Sequence, residues 1–269
     1  MLMIAQNGTI HIADTQMPYI AFGCGRKNLI MIPGLGEGLK TVKGMAVPFA
    51  LMYHKLIKDY RVYVFSRRMV MPQGFSVRDM AEDIYQAMQQ LHIKSANILG
   101  VSQGGMIAQW LALDHPQAVE KLILTVTISR QNATVQNVIS SWKQMALQGD
   151  YKGIMVDTSE KSYTEAYLKI ARPMYGLLGL AGKPKSMDRF LVQADACLNQ
   201  DTYDKLSRIS CPTLVIGGRQ DKIVSPEASE EIAERIPGCR LYMYEKYGHG
   251  LYEEAKDFLK RVTAFIEEG

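Results

Sequence analysis

The stretch Asn97–Ala112, NILGVSQGGMIAQWLA, decides how the rest of the chain is read. A short β-forming run, Asn97-Ile98-Leu99, leads into Gly100-Val101-Ser102-Gln103-Gly104, and a helix-forming run follows at once. In a strand–turn–helix setting a G-x-S-x-G pentapeptide is a nucleophile elbow. Such a turn holds Ser102 in a strained backbone conformation with its hydroxyl pushed outwards. Gly100 and Gly104 are required because side chains there would collide across the turn. The competing reading is a serine in an ordinary glycine-rich loop, and the flanking strand and helix favour the elbow.

Working outward, strand-like runs recur at Asn28–Ile32, Arg61–Phe65, Ala96–Gly100, Lys121–Val126, Thr213–Gly217 and Arg240–Tyr244. Asn7-Gly8, between short apolar runs, predicts a hairpin turn because both residues tolerate positive φ, so the first 25 residues read as antiparallel strands. Helical segments separate most of the strands. Pro48 is suited to opening a helix through Lys58. Ser76-Val77-Arg78-Asp79 is a capping-box variant opening a helix to about Leu91. A third helix runs from Gln103 to about Asp114, with Pro116 marking its end, and Ser225-Pro226-Glu227 caps another. A last amphipathic helix covers Leu251 to Glu267. Strands alternating with helices predict an α/β fold: a mostly parallel central sheet of about eight strands with helices on both faces.

The alternation fails between Arg130 and Asp204, where helical patterns (Ser162–Ile170, Met187–Leu198) are broken by Gly176, Gly179, Gly182 and Pro184. The expected organisation is a core of residues 1–130 and 205–269 carrying a helical lid insertion at 131–204. The lid's apolar residues (Pro173–Leu178, Met145, Met155, Met187 and Phe190) either line a hydrophobic acyl pocket or form the lid's own core.

Composition narrows the function class. Of 269 residues, 47% are hydrophobic and 22% charged, as in ordinary globular proteins. The net charge of +4 comes from 31 basic and 27 acidic residues without a long basic run, which argues against nucleic-acid binding. No apolar stretch approaches the roughly 18 residues of a membrane span. The N-terminal MLMIAQNGTI lacks the positive start and apolar core of a secretory signal. Cys24, Cys197, Cys211 and Cys239 have neither metal-ligand nor redox spacing and read as reduced thiols of a cytoplasmic protein.

A serine hydroxyl needs a base, and the base needs an orienting acid. Of five histidines, His11, His54, His92 and His115 lie in or beside predicted elements as structural or solvated residues. His249 lies in Tyr247-Gly248-His249-Gly250 after the last strand, where flanking glycines let the backbone deliver an imidazole into a crowded site. The acid belongs at the end of another strand between the two. Asp221 fits, in the turn Gly218-Arg219-Gln220-Asp221, although an Asp there can also simply hydrogen-bond its own loop. Asp201, Asp204 and Glu245 are weaker rivals by position. An oxyanion hole needs two backbone N–H donors. Gln103, following the nucleophile at a helix N-terminus, supplies one. Leu35, in the loop Ile32-Pro33-Gly34-Leu35-Gly36-Glu37-Gly38, supplies the other. That loop has neither glycine pattern of a phosphate cradle.

Together these features resemble the α/β-hydrolase family over nearly the whole chain. The order Ser102, Asp221, His249 is the family's. The run DMAEDIYQAMQQLHI leading into GVSQGGMIAQWLALDHP, then GGRQDKIVSPE and YGHGLYEEAKDFLKRVTAFI, are similar to small bacterial lid-bearing members: esterases, lactonases and cofactor-free haloperoxidase-like enzymes. The resemblance implies a serine hydrolase acting on a small-molecule acyl substrate without cofactor or metal, with Ser102 as nucleophile, His249 as general base and Asp221 as its carboxylate. An acyltransferase, a lactonase or a C–C bond hydrolase would use the same triad, and a non-catalytic ligand receptor could share the scaffold. Two departures stand out. Many members carry His-Gly-x-Gly where this chain has Pro33-Gly34-Leu35-Gly36, and an Asp-x-Arg-Gly-x-Gly turn is replaced by Ser66-Arg67-Arg68-Met69. Arg67 or Arg68 then anchors that turn through ion pairs or contacts substrate. Glu37, read as an unpaired carboxylate beside the oxyanion site, would repel anionic substrates unless it is merely solvated.

Overall fold

The strand-forming runs pair into one sheet. In chain order they are β1 (Ala5–Ile12), β2 (Thr15–Phe22), β3 (Lys27–Ile32), β4 (Tyr60–Phe65), β5 (Ala96–Val101), β6 (Val119–Thr125), β7 (Thr213–Gly218) and β8 (Arg240–Tyr244). The computed structural model describes residues 5–176 and 183–268. The order across the sheet is β1-β2-β4-β3-β5-β6-β7-β8. β1 and β2 pair antiparallel, β2 joins β4 antiparallel, and every later pairing is parallel. All six residues of β7 are buried, as are Leu29–Ile32 of β3 and Ala96–Gly100 of β5. Those runs are mostly apolar, with Asn97 and Thr213 as their buried polar members, because helices cover both faces of a parallel sheet.

The strand order reverses between β3 and β5: the chain leaves β3 for β4 on one side and returns to β5 on the other. At such a switch point the loops after adjacent strands diverge and leave a crevice outside their carboxyl ends. Ile32, the last residue of β3, lies opposite Gly100 of β5, so the loops containing Leu35 and Ser102 open at the same level.

The helices are α1 (Ala46–Met52), α2 (Val77–Gln90), α3 (Gln103–Asp114), α4 (Ala133–Leu147), α5 (Tyr151–Ser162), α6 (Glu165–Ala171), α7 (Asp188–Leu198), α8 (Pro226–Arg235), α9 (Leu251–Glu254) and α10 (Phe258–Glu267). The capping box of α2 is complete, with Ser76 and Asp79 each bonding the other's backbone amide. In α3 ten of twelve residues are buried, since it fills the centre of one face. Helices α4 to α7 fall between β6 and β7, in the stretch where the alternation of strand and helix lapses.

Four local expectations are corrected. Asn7-Gly8 is not a turn but lies within β1; the turn is Ala13-Asp14, with Ala13 at φ 51°. Gly8 leaves room for the Tyr19 ring, and Asn7 Oδ1 accepts the Gly44 amide at 2.8 Å, so both residues serve the register. The helix beginning near Pro48 starts at Ala46 and gives way after Met52 to a 3-10 turn at His54–Leu56. Ser225 precedes α8 at φ 67° without its side chain capping a backbone amide of the helix. The terminal helix is two, α9 and α10, separated by Ala255–Asp257. Leu177, Leu178, Gly179 and Gly182 lie outside the described residues.

Candidate active site

Between β5 and α3, Ser102 adopts φ 55° and ψ −119°. A non-glycine residue is held there only when its surroundings overdetermine it. The Ser102 amide donates to Thr125 O at 2.9 Å, and Thr127 Oγ1 donates to Ser102 O at 2.7 Å. The glycines act as the sequence predicts. A Cβ on Gly104 would lie 1.8 Å from Ile32 O, and one on Gly100 would lie 2.4 Å from Gly104 O, so either substitution would force the elbow apart.

Two other strand ends deliver an acid and an imidazole. Asp221 follows β7 and His249 follows β8; both are buried. Asp221 makes the contacts that both readings of it require. Its Oδ1 accepts the amides of Ile223 (2.8 Å) and Val224 (3.0 Å), and its Oδ2 lies 2.9 Å from His249 Nδ1. With the proton on Nδ1, His249 Nε2 is left as an acceptor. The loop is fixed from behind by Gln220 N–H to Tyr247 O (3.1 Å) and by Gly250 N–H to Ser162 O (2.8 Å). His115, by contrast, stacks on Tyr85 and bonds Glu82, and His54 bonds Leu51 O, away from this site.

Ser102 and His249 line one cavity of about 420 Å³, with Gly34, Leu35 and Gly36 on its rim of main chain. Among the described residues the Ser102 hydroxyl has no hydrogen-bond partner, His249 included. The loop at Gly34 lies against Ser102: a Cβ on Gly34 would come within 3.2 Å of Ser102 Cβ. Leu35 begins a 3-10 turn, Leu35–Gly38, and Gln103 begins α3; among the described residues neither amide meets an acceptor. The Gln103 side chain points away, fully buried, donating to Gln193 O (3.0 Å) and Cys197 Sγ (3.2 Å). Burial pushes the Cys197 thiol up to about 12, so it stays neutral.

Glu37 is neither unpaired nor solvated, which overturns its expected part in repelling anions. It is 4% exposed; its carboxylate accepts from Arg189 Nη2 at 2.7 and 3.0 Å and from Gln193 Nε2 at 3.1 Å. Arg189 and Gln193, both on α7, were invisible as partners in the sequence. Of the two roles suggested for Arg67 and Arg68, the anchoring ion pair falls to Arg68, and Arg67 takes neither. Arg68 forms a two-nitrogen ion pair with Asp83 of α2 and anchors the turn. Arg67 is wholly buried, and its Nη2 donates both to Pro33 O and to Gln103 Oε1, the latter at 3.0 Å. It does not line the cavity. Burial pulls its guanidinium down to about 10, which leaves it charged at neutral pH.

Most of the remaining cavity wall is apolar or aromatic, including Phe49, Trp142, Tyr151, Ile154, Met155 and Phe190. Met155 and Phe190 therefore face the cavity, whereas Met145 and Met187 pack against the core. The charged residues on its wall are Glu37, Lys40 and Glu253. Glu253, on α9 one turn after His249, accepts a hydrogen bond from Tyr163 Oη, and burial pushes its carboxyl above the usual range.

The family model for the alpha/beta hydrolase fold matches residues 27–256. A 3-oxoadipate enol-lactonase of Acinetobacter baylyi is 23% identical over 263 residues, 96% of this chain and 96% of that one. The crystal structure of an enol-lactonase from Burkholderia xenovorans superposes with a TM-score of 0.82 at 20% identity, covering 97% of this chain and 100% of the other. An esterase from Exiguobacterium antarcticum gives 0.78 at 22% identity over 98% and 100%. Among the described residues no helix is long and apolar enough to cross a membrane.

Proposed function

The chain belongs to the alpha/beta hydrolase family, and from that premise we propose that it is a serine hydrolase of carboxylic esters, with lactones as the cyclic form of the same substrate class. One observation carries the reading. An Asp221-oriented imidazole and a strained serine open into the same apolar cavity, beside two main-chain amides that lack acceptors among the described residues.

In the first half-reaction His249 Nε2 takes the Ser102 proton as Oγ attacks the carbonyl carbon, so Ser102 must turn to meet Nε2. Catalytic hydrogen bonds commonly tighten only when substrate is bound. The carbonyl oxygen becomes an oxyanion held by the Gln103 and Leu35 amides, the former reinforced by the α3 dipole. His249 returns its proton to the leaving alkoxide, and the acyl group remains on Ser102. Water then attacks by the same route, releasing the acid. Asp221 keeps the imidazole in the Nδ1-protonated form and stabilises its charge once Nε2 is protonated. In a lactone the leaving alcohol stays tethered to the acyl group. The likeness to enol-lactonases over almost the whole chain favours that reading beside the linear ester.

We read α4 to α7 as a cap, since Trp142, Tyr151, Ile154, Met155 and Phe190 supply much of the cavity wall. The four free cysteines accord with a reducing, cytoplasmic setting. The test is Ser102→Ala assayed on a p-nitrophenyl ester. A loss of at least about a thousandfold in kcat, together with fluorophosphonate labelling that vanishes in the variant, is expected. Hydrolysis by Ser102→Ala at the native rate would exclude the mechanism.

A further inference from the structure

We propose that a buried clamp, built from Arg67, Glu37, Arg189 and Gln193, positions the two oxyanion donors, and that α7 is thereby a fixed wall of the site and not a moving flap. The proposal rests on the serine-hydrolase reading above.

The two donor amides belong to segments far apart in sequence, and one nitrogen joins them. Arg67 Nη2 donates to Pro33 O, two residues before Leu35, and to the side chain of Gln103, whose own amide is the other donor. Two residues after Leu35 a second anchor takes hold. Glu37 is received by Arg189 and Gln193, and Arg189 also donates to the carbonyls of Glu37 (3.3 Å), Arg67 (3.2 Å) and Arg68 (3.3 Å). The circuit closes where Gln103 Nε2 donates to Gln193 O. Leu35 is thus bracketed at Pro33 and Glu37, and both brackets lead through buried side chains to Gln103. Gly38 shows how little clearance remains: a Cβ there would lie 2.9 Å from Phe190 Cα of α7.

Burial makes the clamp stiff. Arg67, Gln103 and Gln193 are essentially inaccessible. In such surroundings a hydrogen-bonded charge pair resists distortion because any broken contact leaves a charge without solvent. The clamp holds two guanidinium groups against one carboxylate. Among the described residues, Arg67 Nε and Nη1 have no acceptor, so positive charge is left behind the donors. A carbonyl oxygen that turns negative in front of them gains from that charge in the transition state and not in the ground state. These residues do not touch substrate; they are positioning residues.

The experiment uses the full-length protein with Arg189→Gln, Glu37→Gln and the double variant Glu37→Gln/Arg189→Gln. Arg189→Gln strands a buried carboxylate, so it lowers both melting temperature and kcat. The double variant removes both charges together and recovers most of the melting temperature, but kcat on a p-nitrophenyl ester stays down by about 10- to 100-fold with KM within about twofold. Affinity for a trifluoromethyl ketone, which places a tetrahedral oxyanion in the site, weakens by the same factor as kcat/KM. If kcat recovers along with melting temperature, or if ketone affinity and kcat are unchanged in the double variant, the clamp is only structural and the proposal falls. Should Arg189→Gln not fold, Gln193→Leu, which strands no charge, must show the same split between kcat and KM at about threefold or more; an unchanged kcat there also overturns the proposal. Failure of the native protein to react with a fluorophosphonate would remove the underlying hydrolase reading, and this proposal with it. Native labelling with undisturbed turnover in the double variant would remove this proposal alone.

Discussion

The helices packed over the cavity are fastened in two different ways. α7 is tied to the Pro33–Gly38 loop through buried charge, with Arg189 and Gln193 on Glu37 and Gln103 on Gln193. The junction of α5 and α6 is tied to α9 by contacts nearer solvent: Thr164 N–H and Oγ1 to Glu254 at 3.0 and 2.6 Å, Tyr163 Oη to Glu253, and the Gly250 amide to Ser162 O. Ile170 and Met174, just beyond, are exposed apolar residues, 76% and 59% accessible. The rigid attachment stands where charge would develop and the looser one where the substrate's variable parts would lie. A hydrolase gains from that division, because an oxyanion hole must not move by an ångström, while a pocket for acyl chains benefits from give.

The largest effects belong to residues serving both sides. His249→Ala, like Ser102→Ala, is expected to cost at least about a thousandfold in kcat; Ser102→Ala leaves thermal stability nearly unchanged, whereas His249→Ala also lowers it by leaving the buried Asp221 Oδ2 without its partner. Parallel thermal unfolding and p-nitrophenyl ester assays check this. A modest loss would mean that the cavity's chemistry does not run through the imidazole and would dissolve the contrast between the two walls.

Stability separates the walls next. Arg189→Ala leaves the Glu37 carboxylate buried without a counter-charge, a loss of about 3–5 kcal/mol. Thr164→Val removes the part-buried Oγ1 hydrogen bond to Glu254, keeps the backbone one, and should cost only about 1 kcal/mol. Urea unfolding of both variants measures the difference. Equal losses would show that the α6 side is as firmly built as the α7 side. Kinetics sharpen the same point: Glu254→Gln is expected to raise KM a few-fold through a loosened Ser162–Tyr163 wall, with kcat within about twofold of native.

The sequence revealed the serine turn and the strand ends far better than either wall. The elbow could be read because its constraints are local: Gly100 and Gly104 surround Ser102 within five residues, and the collisions that a Cβ would cause there follow from the turn alone. The strand ends bearing Asp221 and His249 were readable from apolar runs followed by polar turns. The Glu37–Arg189 pair joins residues 152 positions apart. Periodicity tells which face of α7 is buried but not which loop meets it, so Glu37 was read as unpaired. Asn7-Gly8 failed for a related reason. Its turn propensity is local, and it yields to Tyr19 packing over Gly8 and to the Gly44 amide on Asn7. Glu253 was missed because α9 and α10 read as one amphipathic helix, which gave no sign that its first turn borders the cavity.

Glu253 provides the smallest expected effect and the finest test of the looser wall. Its carboxylate faces the cavity beside Tyr163, Tyr252 and Tyr53, and among the described residues no cation lies within ion-pairing distance. Lys40 is the other charged residue of the cavity without an ion pair among the described residues, and it lies on the opposite side, beside the Pro33–Gly38 loop. A carboxylate-bearing ester should therefore react more slowly than a neutral one of equal size, and Glu253→Gln should narrow that gap a few-fold without changing kcat on the neutral ester. The pH dependence has a fixed sign. Burial raises the Glu253 pKa, so its carboxyl gains a proton sooner than an ordinary glutamate as pH falls, and the discrimination fades on the acid side. Relative kcat/KM for the ester pair between pH 8 and pH 5 records this in the native protein, and Glu253→Gln should give a flat ratio. A native ratio that is equally flat would leave Glu253 as a rim residue paired only with Tyr163, and the looser wall would hold the substrate by shape alone.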